Sequence, residues 1–163
     1  MSLRTACRYV AVLLLATGAW RIAQAQMPNP YGESINLEDA KKVAAPALAE
    51  AARLHLNMAV AIVDISGNLV YYEKMDNTQL ASSTIAIDKA RSAARLKRTT
   101  KSMQDVVAGG GEGLRILKLD EAVPLEGGIP LVRDGKIIGA IGASGSAGKT
   151  DSQVAQAGAD SIK

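Results

Sequence analysis

Ile129-Pro130-Leu131-Val132-Arg133, then Asp134-Gly135, then Lys136-Ile137-Ile138-Gly139-Ala140-Ile141-Gly142-Ala143 is the stretch that decides the fold. Two apolar runs flank a two-residue pair, and Asp-Gly suits the positive backbone angles of a type I′ turn, so the segment predicts a β-hairpin. A second hairpin lies upstream. Residues 58–63 form a continuous apolar run ending at Asp64, and residues 69–75 form a strand-like run carrying Tyr71 and Tyr72. Asp64-Ile65-Ser66-Gly67-Asn68 is the turn between them. Alternation along a strand sends Tyr71 and Tyr72 to opposite faces.

Helical spacing surrounds these hairpins. Asn36 can cap a helix whose first turn holds Glu38 and Asp39, and Ala40, Val43, Ala44, Ala47, Leu48, Ala51 and Leu54 recur on one face. Pro46 inside that pattern is expected to kink or divide it. Residues 79–98 are again helical, with Ala86, Ala90, Ala93 and Ala94 as a stripe of small residues that permits close approach. A short helix over 100–107, a glycine loop over 108–113, a short strand over 114–119 and a closing helix over 152–162 complete the pattern. Two hairpins with helices before, between and after them imply an α+β fold, an antiparallel sheet with helices packed on it.

The N-terminus reads as an export signal. Arg4 and Arg8 precede an apolar run over 9–19, and Ala23-Gln24-Ala25 is a small-x-small cleavage site. The run is shorter than the ~20 residues a spanning helix needs, so no stable membrane anchor is expected. The organisation is therefore a signal peptide over 1–25, a Pro- and Gly-containing flexible leader over 26–35 and a single domain over 36–163. Of the 163 residues, 48% are apolar and 21% charged, as in an ordinary globular chain. The formal net charge of +3 belongs to the signal, which holds three arginines and no acidic residue; the rest balances sixteen Lys and Arg against sixteen Asp and Glu. Long-range attraction to nucleic acid or anionic membrane has no global support.

Without that signal the chain loses Cys7 and Trp20, its only cysteine and tryptophan, and it has no Phe. Disulfides, thiol nucleophiles, iron–sulfur clusters and thiolate zinc sites are excluded for the remainder. One histidine, His55, argues against a multi-histidine metal centre. Three tyrosines are too few for a stacking platform for single-stranded nucleic acid. The core must be Ala, Val, Ile and Leu.

Several stretches in order resemble the GlcG/HbpS family of small haem-binding proteins, which includes the C-terminal domain of one group of corrinoid adenosyltransferases. They are Leu37-Glu38-Asp39-Ala40-Lys41-Lys42, Ala59-Val60-Ala61-Ile62-Val63-Asp64 with Gly67, Ala86-Ile87-Asp88-Lys89-Ala90-Arg91, Glu126-Gly127-Gly128-Ile129-Pro130-Leu131, Gly139-Ala140-Ile141-Gly142-Ala143-Ser144-Gly145 after Asp134-Gly135, and 151–158. The resemblance implies a profilin-like α/β/α arrangement around a five-stranded antiparallel sheet, a homo-oligomer, and haem or a related tetrapyrrole as ligand. Where relatives are expected to have His after the turn glycine, this chain has Asn68.

The candidate binding residues follow from ligand chemistry. Arg91, Arg95 and Arg98 fall at i, i+4 and i+7 and could hold two propionates, with Thr99 and Thr100 adding hydroxyls at the helix end; the same cations also suit a solvated face at the negative end of a helix. Glu126-Gly127-Gly128 is a loop where backbone can approach a ligand, or simply a turn. His55 is the best intrinsic iron ligand, and equally a helix-end residue bonded to the last carbonyls. Ala143 to Thr150 matches a loose phosphate-binding loop, but the chain after it is too short for a magnesium-binding strand, so a glycine-rich strand exit is expected. No catalytic set emerges. The expected function is exported haem capture, buffering or sensing, with Arg95, Thr99, Thr100, Glu126, Gly127 and Gly128 as cofactor-binding residues and His55 as metal ligand. An enzyme or accessory of small hydroxy-acid or aldehyde metabolism and a ligand-free oligomeric scaffold are the alternatives.

Overall fold

The computed structural model describes residues 28–162; the signal read over 1–25 lies outside them. Helix α1, Leu37–Arg53, begins where the Asn36 side chain accepts the Asp39 N–H at 2.8 Å, and Ala40, Val43, Ala44, Ala47 and Ala51 are its buried face. Pro46 does not divide it. The carbonyl that loses its donor belongs to residue 42, which is exposed, so water can replace the missing bond.

Strands β1, Ala59–Val63, and β2, Leu69–Lys74, form the first hairpin, and β3, Gly128–Arg133, and β4, Lys136–Ser144, form the second. Asp134 and Gly135 take φ of 49° and 71°, both positive as the type I′ reading requires. The order is β2-β1-β4-β3, antiparallel throughout. Helix α2, Leu80–Arg95, lies on one face of the sheet; α1 and α4, Gly148–Ala159, lie on the other, and the short α3, Thr100–Ala108, follows α2.

The central strand β1 is buried on both sides and its alternation divides the core in two. Met58, Val60 and Ile62 join the cluster under α1 and α4, whereas Ala59, Ala61 and Val63 meet Ala86, Ala90, Ala93 and Ala94 of α2. Small residues thus face small residues, and the α2 backbone comes down onto the sheet. A Cβ at Gly142 would run into the carbonyl oxygen of Ala86 and lie 2.7 Å from the nitrogen of Ala90. Tyr71 and Tyr72 pack on opposite clusters, as alternation demands.

Two expectations change. The sheet of the described residues has four strands, not five, because residues 114–119 do not form a strand: Gly111–Lys118 is a 3-10 helix. Leu114 and Leu117 are three apart, as are Glu112 and Arg115, whose side chains pair at 2.8 Å, a spacing that suits three residues per turn. Gly113 also sits against the Val106 carbonyl of α3, a closeness that a side chain would prevent. Strand β3 is therefore an edge, blunted by Pro130, which has no N–H, and by Thr100, whose Oγ1 accepts the Gly128 N–H at 2.8 Å.

The leader expected to be flexible over 26–35 is bound to the domain from Pro30 onward. Pro30 O accepts from Ile137 N and Gly32 N donates to Ile137 O, both at 2.8 Å, and Ile35 is buried. The hydroxyl of Tyr31 donates to Ala94 O at 2.9 Å, a carbonyl near the end of α2.

Gly142→Val is expected to lower unfolding free energy by about 3 kcal/mol, at the upper end of overpacking costs because the obstacle is backbone. Urea denaturation followed by circular dichroism measures it; wild-type stability would show that α2 can move away.

Candidate functional site

Lys89 and Asp151 organise the loops at one end of the sheet. Lys89 is 2% exposed and its ammonium lies 2.6 Å from Asp151 Oδ2 and 3.1 Å from the Ala143 carbonyl. Asp151, in the first turn of α4, accepts the Ser146 N–H through its other oxygen at 2.9 Å. Burial pushes its carboxyl above the usual range, against the pull of Lys89 and of the Ser146 and Gly145 N–H groups. Lys89 belongs to the helix on one face and Asp151 to the helix on the other.

Gly127 makes room for this crossing. Its φ is +127°, and a Cβ there would lie 2.7 Å from the Ala143 oxygen and 2.9 Å from the Lys89 ammonium. Its carbonyl accepts the Ala143 N–H at 2.9 Å, and the next residue, Gly128, is held by buried Thr100. Glu126 is fixed through its own N–H, which donates to Gln104 Oε1 at 3.0 Å. Thr100, Glu126, Gly127 and Gly128 therefore form one connected unit, and Thr99 adjoins it as the N-cap of α3, accepting the Ser102 N–H at 3.2 Å.

Beside that unit lies a hollow of about 390 Å³. Lys97, Arg98 and Thr99 line it with Ile129, Pro130, Val132 and Ile137 of the second hairpin, and with Pro28 and Asn29 of the leader. Neither Lys97 nor Arg98 has a carboxylate within 4 Å among the described residues. Its volume is at the low end of the range for small-molecule sites, roughly 300–1,000 Å³.

Arg95 does not share this hollow. It pairs with Glu121 at 2.6 Å and lines a separate depression with Asp88, Arg91 and Asp120. The sequence spacing of Arg91, Arg95 and Arg98 assumes an unbroken helix, but α2 ends at Arg95, and Lys97 takes a left-handed φ of 54° that turns Arg98 away. His55 is also apart. It is exposed past the end of α1, with its N–H on Ala52 O, and is not among the residues that line the hollow. Among the described residues no three His, Cys, Asp or Glu side chains gather as a metal cluster, and no helix is long and apolar enough to cross a membrane.

The buried pair escapes a reading of Lys89 as part of a basic run. A signal exists in the helical wheel: Lys89 is three residues after Ala86 and four before Ala93, inside the small-residue stripe. Asp151 stands likewise three, four and seven residues before Val154, Ala155 and Gly158, all buried.

A family model described as haem degrading protein HbpS-like matches residues 35–160. An uncharacterized 15.0 kDa protein from the dhaT-dhaS intergenic region of Citrobacter freundii is 32% identical over 129 residues, which cover 78% of this chain and 91% of that protein. The crystal structure of a PduOC:heme complex superposes with a TM-score of 0.72 and 31% identity, over 80% of this chain and 96% of that one. A double mutant of Streptomyces reticuli HbpS superposes with a TM-score of 0.74 and 27% identity, over 81% and 89% of the two chains.

Lys89→Met strands the Asp151 carboxylate in the interior and is expected to cost about 3–5 kcal/mol of stability. Lys89→Met with Asp151→Leu should recover most of that loss. Denaturant midpoints of the single and double variants measure both, and equal midpoints for Lys89→Met and wild type would contradict the burial.

Proposed function

Because this chain belongs to the HbpS-like family, we propose that it binds haem at the hollow beside Thr99 and serves in haem capture, buffering or sensing rather than in turnover. The observation that carries the reading is two cations without carboxylate partners among the described residues, Lys97 and Arg98, lining one hollow with apolar Ile129, Pro130, Val132 and Ile137. That combination fits a flat apolar molecule with carboxylates at its edge. Lys97 and Arg98 would hold the propionates through charge-assisted hydrogen bonds, while the strand residues shield one edge of the macrocycle from water. Bound haem supplies a redox-active iron.

The family description names haem degradation. Among the described residues the lining offers one hydroxyl, one amide and two cations, without carboxylate or imidazole, a set suited to holding an anionic ligand more than to relaying protons. His55 is not among the lining residues, so any His55 ligand is taken to come from a second copy of the chain. A homo-oligomer is part of the proposal for that reason, and the export signal over 1–25 places the protein outside the cytoplasm in this reading.

Titration of the purified chain with hemin is expected to give a shifted Soret band that saturates at one haem per subunit; a spectrum identical to free hemin would end the reading. Lys97→Ala and Arg98→Ala, made singly, are each expected to raise Kd by about 10- to 100-fold, the size of one lost charge-assisted hydrogen bond. N-terminal sequencing of protein recovered from the periplasm or medium should begin at Gln26.

A further inference from the structure

We propose that residues 28–31 are the closing wall of the ligand hollow and that Tyr31 is a positioning residue for Lys97, an inference that rests on the haem reading. Pro28 and Asn29 line the hollow together with the strand residues, although they precede the domain in sequence. Two hydrogen bonds to Ile137 at 2.8 Å stitch Pro30 and Gly32 to β4, next to the point where Ile137 itself enters the hollow. Gly32 permits that approach, since a Cβ there would lie 2.9 Å from the Lys136 Cβ.

Tyr31 does two things at once. Its hydroxyl reaches Ala94 O at 2.9 Å and Arg95 O at 3.1 Å, carbonyls at the α2 end that lack a helical donor. Its ring lies 4.0 Å below the Lys97 ammonium, a cation–π contact. One side chain therefore anchors the wall and fixes the position of one of the two cations that face the ligand. The wall selects for shape: a molecule entering between residues 28–29 and β3 must be flat and apolar in its body, with its carboxylates turned toward Lys97 and Arg98. Asn29 supplies the only amide side chain on the lining among the described residues.

Hemin affinity of single variants in the otherwise intact chain tests this. Asn29→Trp fills the hollow and Tyr31→Ala releases the wall together with Lys97; each is expected to weaken hemin binding about tenfold or more. Tyr31→Phe keeps the ring under Lys97 and should fall between Tyr31→Ala and wild type. Leu80→Trp, on the 87% exposed start of α2, should leave affinity unchanged. Hemin should also slow hydrogen exchange at the Gly32 amide, which a purely structural role of Tyr31 would not require. Wild-type affinity in both Asn29→Trp and Tyr31→Ala would overturn the wall while leaving haem binding intact. Failure of the wild-type chain to bind hemin would remove the haem reading and this inference with it. If Tyr31→Ala fails to fold, Asn29→Trp decides alone, because Asn29 makes none of the hydrogen bonds that hold the segment.

Discussion

A buried ammonium that crosses the sheet is the constraint on which the loops depend. Lys89 leaves α2 on one face and meets Asp151 of α4 on the other, passing the carbonyl of Ala143. Removing both charges from water is costly, and the mutual attraction offsets that cost only when remaining donors and acceptors are satisfied. Here the carboxylate takes a backbone N–H on its second oxygen, and no buried side-chain polar atom among the described residues lacks a partner. The pair need not add net stability relative to an apolar substitute. What it sets is a geometric tie between the two helices, since the ammonium and the carboxylate meet at 2.6 Å.

Everything near that crossing has to be small. Gly127 leaves space for the ammonium, Gly128 for the Lys89 carbonyl, and Gly142 for the α2 backbone. The same economy of volume replaces the missing aromatics: the sheet face under α2 is built from Ala59, Ala61, Val63 and Ala140 against four alanines. Close approach gives many short-range contacts from small groups, which lets a core without Phe be built from Ala and Val. The placement of α2 in turn fixes where its last carbonyls end, and so where Tyr31 can bind and where the turn through Lys97 to Thr99 must run.

How far the site could be read from the sequence varied by residue. Thr99, Thr100, Glu126, Gly127 and Gly128 come together because two of them exchange a hydrogen bond and the glycines mark backbone closeness. Arg95 and Arg98 share a face only on a continuous helix, and one left-handed residue, Lys97, separates them; propensity gives no warning of it. Pro30 and Gly32 were legible as part of a leader, yet their hydrogen bonds to Ile137 span more than a hundred residues of sequence.

The sequence by itself determined the two hairpins, the turn at Asp134-Gly135, the cap at Asn36 and the division of each strand into two faces, because these rest on local backbone geometry and on a period of two or 3.6. Only the tertiary structure decided that residues 114–119 coil against α3 instead of adding a strand, that the leader docks, that His55 is not among the residues lining the hollow, and that Lys89 is interior. Those outcomes depend on which distant groups satisfy a hydrogen bond or a charge, and such partners are chosen by packing in three dimensions, where distance along the chain carries no weight.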